Sequence, residues 1–159
     1  MNKKLTFLLS LTFLFLFSSV VFGDDFQDGL EAVQKKDYKT AYKLWLPLAE
    51  QGDADAQYNL GNRYSNGQGV PQDYKEAVRL YRLSAEQGNA LAQYNLGLMY
   101  YNGQGVPQDY VLAHMWWNLS GSNGFKDAVT NRNVVEKRMS PSQIEKAQEM
   151  ARNLKPTTK

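Results

Sequence analysis

The sequence predicts an all-α protein, an α/α solenoid of antiparallel helix pairs. Three observations carry that expectation. The stretch Gln57–Ala77 recurs at Gln93–Ala113 with sixteen of 21 positions identical and an offset of 36 residues, the length of one stackable helix pair. Apolar residues inside the unit fall four apart, so Ala56, Leu60 and Tyr64 share one helix face, as do Ala92, Leu96 and Tyr100. Beyond residue 23 no stretch sustains the apolar–polar alternation of a strand.

The chain opens with Lys3 and Lys4 before the apolar run Leu5–Phe17, then Ser18–Gly23. This is the pattern of a secretory signal peptide, and Val21 and Gly23 fit the small-residue positions before a cut, so residues 1–23 are expected to be removed. An uncleaved anchor is the competing reading, but the 18 residues Leu5–Phe22 sit near the lower limit for a bilayer span and are interrupted by Ser and Thr. Residues 24–155 are expected to form one helical domain. It divides into a first unit at 24–48, two full repeats at 49–84 and 85–120, and degenerate capping helices at 121–155, with a disordered tail at 156–159.

In the first unit Phe26, Leu30 and Val33 mark one helix, and "QKKDYKTAYKLW" leads into a second after a short turn. In each full repeat the second helix shows a core face, Tyr74, Ala77, Val78, Tyr81 and Ala85 in the first copy. Gly61 and Gly97 fall mid-helix, where glycine costs roughly 1 kcal/mol against alanine, so close helix approach is expected there, with Ala77 and Ala113 opposite. Trp45, Tyr81 and Trp117, also 36 apart, are expected to fill the space between successive units. The final segment carries a helix start at Ser140, Pro141 and Gln143, and a face of Ile144, Ala147, Ala151 and Leu154.

The phrase "NGQGVPQDY", at Asn66–Tyr74 and Asn102–Tyr110, falls between the two helices of each repeat. Gly67 and Gly69, like Gly103 and Gly105, supply permissive backbone, Pro71 forces Val70 to be extended, and Asp73 and Asp109 stand as N-caps, with Glu76 three residues after Asp73. A phosphate loop needs Lys-Ser/Thr at the next helix start, and here that start reads Asp-Tyr. A dinucleotide fingerprint lacks its third glycine and its strand, and a calcium loop lacks enough carboxylates. The phrase is therefore a joint.

The pattern A-x-Y-x-L-G-x-x-Y-x-x-G-x-G-V-x-x-D, followed by A-x-x-x-[WY] and A-E-x-G, resembles the Sel1-like repeat, a relative of the tetratricopeptide repeat. Ala56, Tyr58, Leu60, Gly61, Tyr64, Gly67, Gly69, Val70, Asp73, Ala77 and Tyr81 carry it once; Ala92, Tyr94, Leu96, Gly97, Tyr100, Gly103, Gly105, Val106, Asp109, Ala113 and Trp117 carry it again. The first unit, without the Gly-rich loop, looks more like a tetratricopeptide repeat. In the last unit Arg132 and Asn133 stand where Leu96 and Gly97 stood.

Chemistry is sparse. There is no cysteine, which excludes disulfides and thiolate ligands, and the single histidine, His114, has no second ligand for a metal and no triad context. No catalytic, metal or cofactor residue is expected. Without Lys3 and Lys4 the 18 basic residues fall to 16, equal to the 16 acidic ones, with no concentrated basic face for nucleic acid. No stable membrane insertion is expected once the signal is cut. The resemblance implies a non-catalytic interaction module whose first helices line a concave groove, where Tyr58, Asn59, Asn62, Tyr94, Asn95, Leu98 and Tyr101 would meet a protein or peptide. With the signal peptide, this places the expected protein in the bacterial periplasm or outside the cell. The competing readings are an envelope hydrolase and a protein that inhibits or stabilises an envelope enzyme.

Overall fold

The computed structural model describes residues 24–154; the signal peptide and the 156–159 tail of the sequence reading lie outside that range. Among the described residues there are eight helices and no strand: α1 (24–34), α2 (Tyr38–Glu50), α3 (Ala54–Asn66), α4 (Tyr74–Glu86), α5 (Ala90–Asn102), α6 (Tyr110–Ser122), α7 (Lys126–Glu136) and α8 (Pro141–Asn153). Helices α3 and α4, and again α5 and α6, pack as antiparallel pairs, while α4 meets α5 and α2 meets α3 to join the pairs. The core runs along the stack: Ala56, Leu60, Ala77, Tyr81, Ala92, Leu96, Ala113 and Trp117 are all buried.

The mid-helix glycines do open a close approach, but to a different partner. A Cβ on Gly61 would lie 2.6 Å from the Tyr81 ring, and one on Gly97 would lie 2.5 Å from Trp117 Nε1; Ala77 and Ala113 do not appear among their nearest neighbours. The aromatics expected between units thus press onto the glycine of their own unit. The missing side chain also exposes backbone: the Trp117 indole N–H donates to Tyr94 O, three residues before Gly97, at 3.1 Å. Trp45 does the same with Phe26 O, three residues before Gly29, at 3.2 Å, and Gly29 likewise sits under the Trp45 ring. Gly29 escaped the sequence reading because its turn is four residues shorter, so the 36-residue frame lands on Asp25 instead.

The joint does more than bend. Gly67 and Gly69 have φ of 63° and 79°, the left-handed region. A Cβ on Gly69 would lie 2.5 Å from the carbonyl oxygen of Tyr38, the first residue of α2, and Gly105 stands in the same relation to Tyr74, the first residue of α4. Each Gly-rich loop therefore reaches back and seats on the preceding unit. Gln72 and Gln108 donate their side-chain amides to Ser65 O and Tyr101 O, both at 2.8 Å, satisfying carbonyls that the helix end leaves open. Asp73 caps α4 by accepting from Lys75 N and Glu76 N, but Glu76 does not close a capping box: it pairs with Arg79 at 2.6 Å.

Two more polar pairs repeat with the frame. Gln57 and Gln93 donate to Ala49 O and Ala85 O at 3.1 and 3.0 Å, and Ser84 and Ser120 donate to Ala54 O and Ala90 O at 2.6 and 2.7 Å. All four are buried, and each fastens its helix to an end of the preceding one.

At the C-terminal end α7 and α8 both pack on α6. Ser140 and Gln143 form the expected capping box with Pro141 in the first turn. Ala147 and Ala151 are buried, while Ile144 and Leu154 are half-buried. His114 is fully buried in α6, and its Nε2 lies 2.7 Å from the Glu136 carboxylate at the end of α7.

Candidate functional site

The first helices of adjacent pairs, α3 and α5, bound a cavity of about 300 Å3. Its lining is mostly amides and hydroxyls: Asn62, Ser65, Asn66, Asn95, Asn102 and Gln104, with Leu98 and Met99 as the apolar part and Tyr81 below. Helical spacing explains the lining. Asn62, Ser65 and Asn66 are three and four apart on α3, as Asn95, Leu98, Met99 and Asn102 are on α5, so each set forms one stripe.

Asn62 Oδ1 accepts from Tyr81 Oη at 2.7 Å and from Asn95 Nδ2 at 3.2 Å. The floor of the cleft is therefore a chain running Tyr81–Asn62–Asn95 across two units. It leaves an Asn62 amide nitrogen and an Asn95 amide oxygen without partners among the described residues, one donor and one acceptor, which is what an extended backbone presents in return. Burial pushes the Tyr81 phenol up to about 12, so it stays a neutral donor.

Of the seven residues placed in a groove by resemblance, Asn62, Asn95 and Leu98 line this cleft. The structure does not bring the others to it. The Tyr58 ring lies 6.1 Å from the Tyr81 ring and is half-buried beside it, and Asn59 lies outside the lining. Tyr94 meets Phe125 edge-on at 4.9 Å and accepts from Asn131 at 3.2 Å, which ties α5 to α7. Tyr101 is sandwiched 5.5 Å from both Tyr110 and Trp117, with the Arg138 guanidinium 5.6 Å over its ring. Sequence reasoning missed Ser65, Asn66, Met99, Asn102 and Gln104. Extending the three-and-four spacing from Asn62 and Asn95 toward the helix ends was the available signal.

A second cavity, also about 300 Å3, lies on the other side of the stack between α2 and α4. Leu46, Ala49, Leu60, Leu80 and Leu83 make it chiefly apolar, with the Glu76–Arg79 pair at its rim. Among the described residues no group of three or more His, Cys, Asp or Glu side chains is placed to hold a metal ion, and no helix is long and apolar enough to cross a membrane.

The comparisons with known proteins agree with the repeat geometry. The model of the Sel1 repeat family matches at residues 26–53, 54–89 and 90–125, which takes in the short-turned first unit as well as the two full ones. The fold is similar to the crystal structure of a protective antigen present in uropathogenic Escherichia coli strains, which displays an SLR fold: TM-score 0.80, 31% identity, over 84% of this chain and 29% of that one. It is also similar to a Sel1 repeat protein from Oxalobacter formigenes, with TM-score 0.59 and 26% identity over 69% of this chain and 60% of that one. This chain thus spans less than two thirds of the length of either. No curated protein matches the sequence.

Proposed function

We propose that this chain, which belongs to the Sel1 repeat family, is a non-catalytic interaction module of the bacterial cell envelope or secreted space that holds a partner protein or peptide in the α3–α5 cleft. Sel1 repeat proteins generally mediate protein–protein interaction, and their fold is typically a non-catalytic scaffold. The observation that supports the cleft is its chemistry: amides and hydroxyls around Leu98 and Met99, with no carboxylate, imidazole or ammonium among its lining residues. Such a lining recognises peptide backbone and small apolar side chains, and it offers no general acid or base poised near neutral pH for a hydrolase. The exported location rests on the signal-peptide pattern at residues 1–23.

The test is crosslinking in intact cells followed by mass spectrometry, with variants chosen so that the fold stands. Asn62 and Tyr94 are poor choices, since each holds a structural hydrogen bond. Leu98→Asp and Asn102→Arg alter the cleft from half-buried and exposed positions. Together they are expected to abolish a reproducible crosslinked partner, while Leu83→Arg, at the second cavity, leaves it in place. The reverse pattern would move the binding surface to the α2–α4 side. Co-purification of an envelope enzyme at fixed stoichiometry would identify the partner as one the chain inhibits or stabilises.

A further inference from the structure

The buried polar residues of this stack are, with two exceptions, repeated and satisfied. Gln57 and Gln93 match one another, as do Ser84 and Ser120, and each donates to a carbonyl. His114 has no repeat counterpart, since Val78 stands 36 residues before it; its Nε2 meets Glu136, and its Nδ1 is buried without a partner among the described residues. Arg63 has neither a counterpart nor a partner. It is 8% exposed, and its Nε and Nη1 are buried with no hydrogen-bond partner among the described residues. No carboxylate forms an ion pair with it among the described residues; Asp37, next to the ring that Arg63 covers, spends its carboxylate on Thr40 N at 3.2 Å.

Packing does not require a cation at this place. The equivalent position one unit later is Met99, 4% exposed, an unbranched apolar chain that fills the same place on α5 and lines the α3–α5 cleft. The guanidinium gains one favourable contact, with its carbon 4.8 Å from the Tyr38 ring centroid. Against that stands the desolvation of a charge whose N–H groups find no acceptor, and burial accordingly pulls the Arg63 pKa down. A group that costs stability and is dispensable to the repeat is held for something outside it.

We propose that Arg63 is a carboxylate-binding anchor one repeat before the α3–α5 cleft, pairing through its planar N–H fork with an acidic group of the bound partner. A guanidinium presents two parallel N–H groups at the spacing of two carboxylate oxygens, which a Lys ammonium does not. Nε and Nη1 are enclosed, so a carboxylate arrives at Nη2 and closes the fork only as a rotation of the guanidinium uncovers the N–H beside it. The partner segment would then run along the first helices, with its acidic group at Arg63 and its backbone amides at Asn62 and Asn95. The position of the rest of the partner rests on the cleft reading; the anion chemistry of Arg63 does not.

The experiment uses the side-chain Nε–H resonance of Arg63 in the isotopically labelled protein, identified by its absence from Arg63→Lys. Sodium acetate is expected to shift this resonance saturably, and sodium chloride at equal concentration is expected not to. Arg63→Met is expected to melt at or above the parent temperature, as the Met99 unit implies. Three capped peptides then distinguish the source of the carboxylate: one with a free C-terminus, one amidated with a single Glu, and one amidated with none. Binding of either of the first two, at least fivefold tighter than the third and lost in Arg63→Lys, supports the anchor and names its source. A resonance that ignores acetate, or answers chloride equally, overturns it, as does equal affinity for all three peptides. Because acetate needs no partner, its failure leaves the crosslinking result standing, and the converse also holds.

Discussion

The interior units and the terminal units solve the same packing problem with different parts. In α3–α6 a glycine lies under an aromatic ring, a Gly-rich loop seats on the preceding unit, and buried Gln and Ser side chains fasten helix ends. The first unit keeps the glycine and ring, Gly29 under Trp45, but has only a short turn after α1. No described unit precedes it for a loop to seat on. The last unit keeps neither: Asn133 occupies the glycine position, and α8 is fixed through Ser140, Ala147 and Ala151. There Arg138 reaches back to the first residue of α6, donating to the Tyr110 hydroxyl at 3.3 Å, whereas the interior loop glycines seat on the backbone carbonyl of the equivalent residue. The difference shows that the repeat motif encodes junctions rather than helices, and that parts of it fall away where a junction is missing.

The strongest way to break this comparison is to fill the interior glycine. A Leu at Gly97 would add four carbons, the first of them already 2.5 Å from Trp117 Nε1, against a ring that is 2% exposed and tied to Tyr94 O. Overpacking of a closed core costs typically 1–3 kcal/mol, and with an indole hydrogen bond also displaced Gly97→Leu is expected to cost about 3 kcal/mol in a urea melt. At the same frame position in the terminal unit, Asn133 is exposed and, among the described residues, accepts with its side chain only from its neighbour Arg132. Asn133→Leu is expected to change stability by no more than about 0.5 kcal/mol. Equal losses in the two variants would mean that the frame, not the junction, sets the cost.

Legibility followed the same division. Many residues that act within their own helix pair and recur at 36 were exposed by the sequence: the core faces, the N-caps of the second helices, the two loops and the fold class; Asp53 and Asn89, which cap α3 and α5, were not. Contacts between units were not legible, because the identity of a loop glycine says that left-handed backbone is wanted and nothing about what lies behind it. Gly69 looked like a second hinge and is also a seat on Tyr38. The aromatic at 81 and 117 was rightly placed in the core, but its seat on the glycine of its own unit was not foreseen, since ring direction depends on helix rotation that spacing leaves open. The cleft was half legible for a related reason. Asparagines are visible as polar on a helix, but tyrosines serve packing or binding equally well, and only neighbours such as Phe125 and Tyr110 decide which. Arg63 was passed over because it occupies a variable position of the repeat, which is where a function specific to one unit has room to sit.

The two glycines of one loop sharpen the seating argument. Gly67 and Gly69 both have left-handed backbone, so replacing either with Ala carries a conformational cost of about 1 kcal/mol. At Gly67 the added methyl meets Gln72 Cβ at 3.3 Å, a side chain that can yield slightly. At Gly69 it meets the Tyr38 carbonyl oxygen at 2.5 Å, where only separation of the units relieves the clash. Gly69→Ala is therefore expected to lose about 2 kcal/mol and Gly67→Ala about 1 kcal/mol in the same melt. Hydrogen exchange at the start of α2 is expected to quicken in Gly69→Ala alone. Parity between them would reduce the loop to a local bend.

The smallest effect should be a gain, and it comes from the end joint. After α1 the chain turns through Lys36 at φ 60°, the one left-handed residue among the described residues that is not glycine, in the role that Gly67 and Gly103 play at the ends of α3 and α5. Lys36 N donates to Val33 O and Asp37 N donates to Ala32 O, so the helix end is properly closed and the geometry is imposed by the turn rather than by the side chain, which is exposed. Lys36→Gly relieves about 1 kcal/mol of left-handed strain and returns roughly half of it as extra freedom of the unfolded chain, leaving a net stabilisation of about 0.5 kcal/mol. The converse substitution, Gly67→Lys, should cost about 1 kcal/mol, roughly half of it net backbone strain and the rest from the added Cβ meeting Gln72 Cβ at 3.3 Å. A Lys36→Gly variant less stable than the parent would show that the lysine side chain, and not only its backbone, holds the first joint.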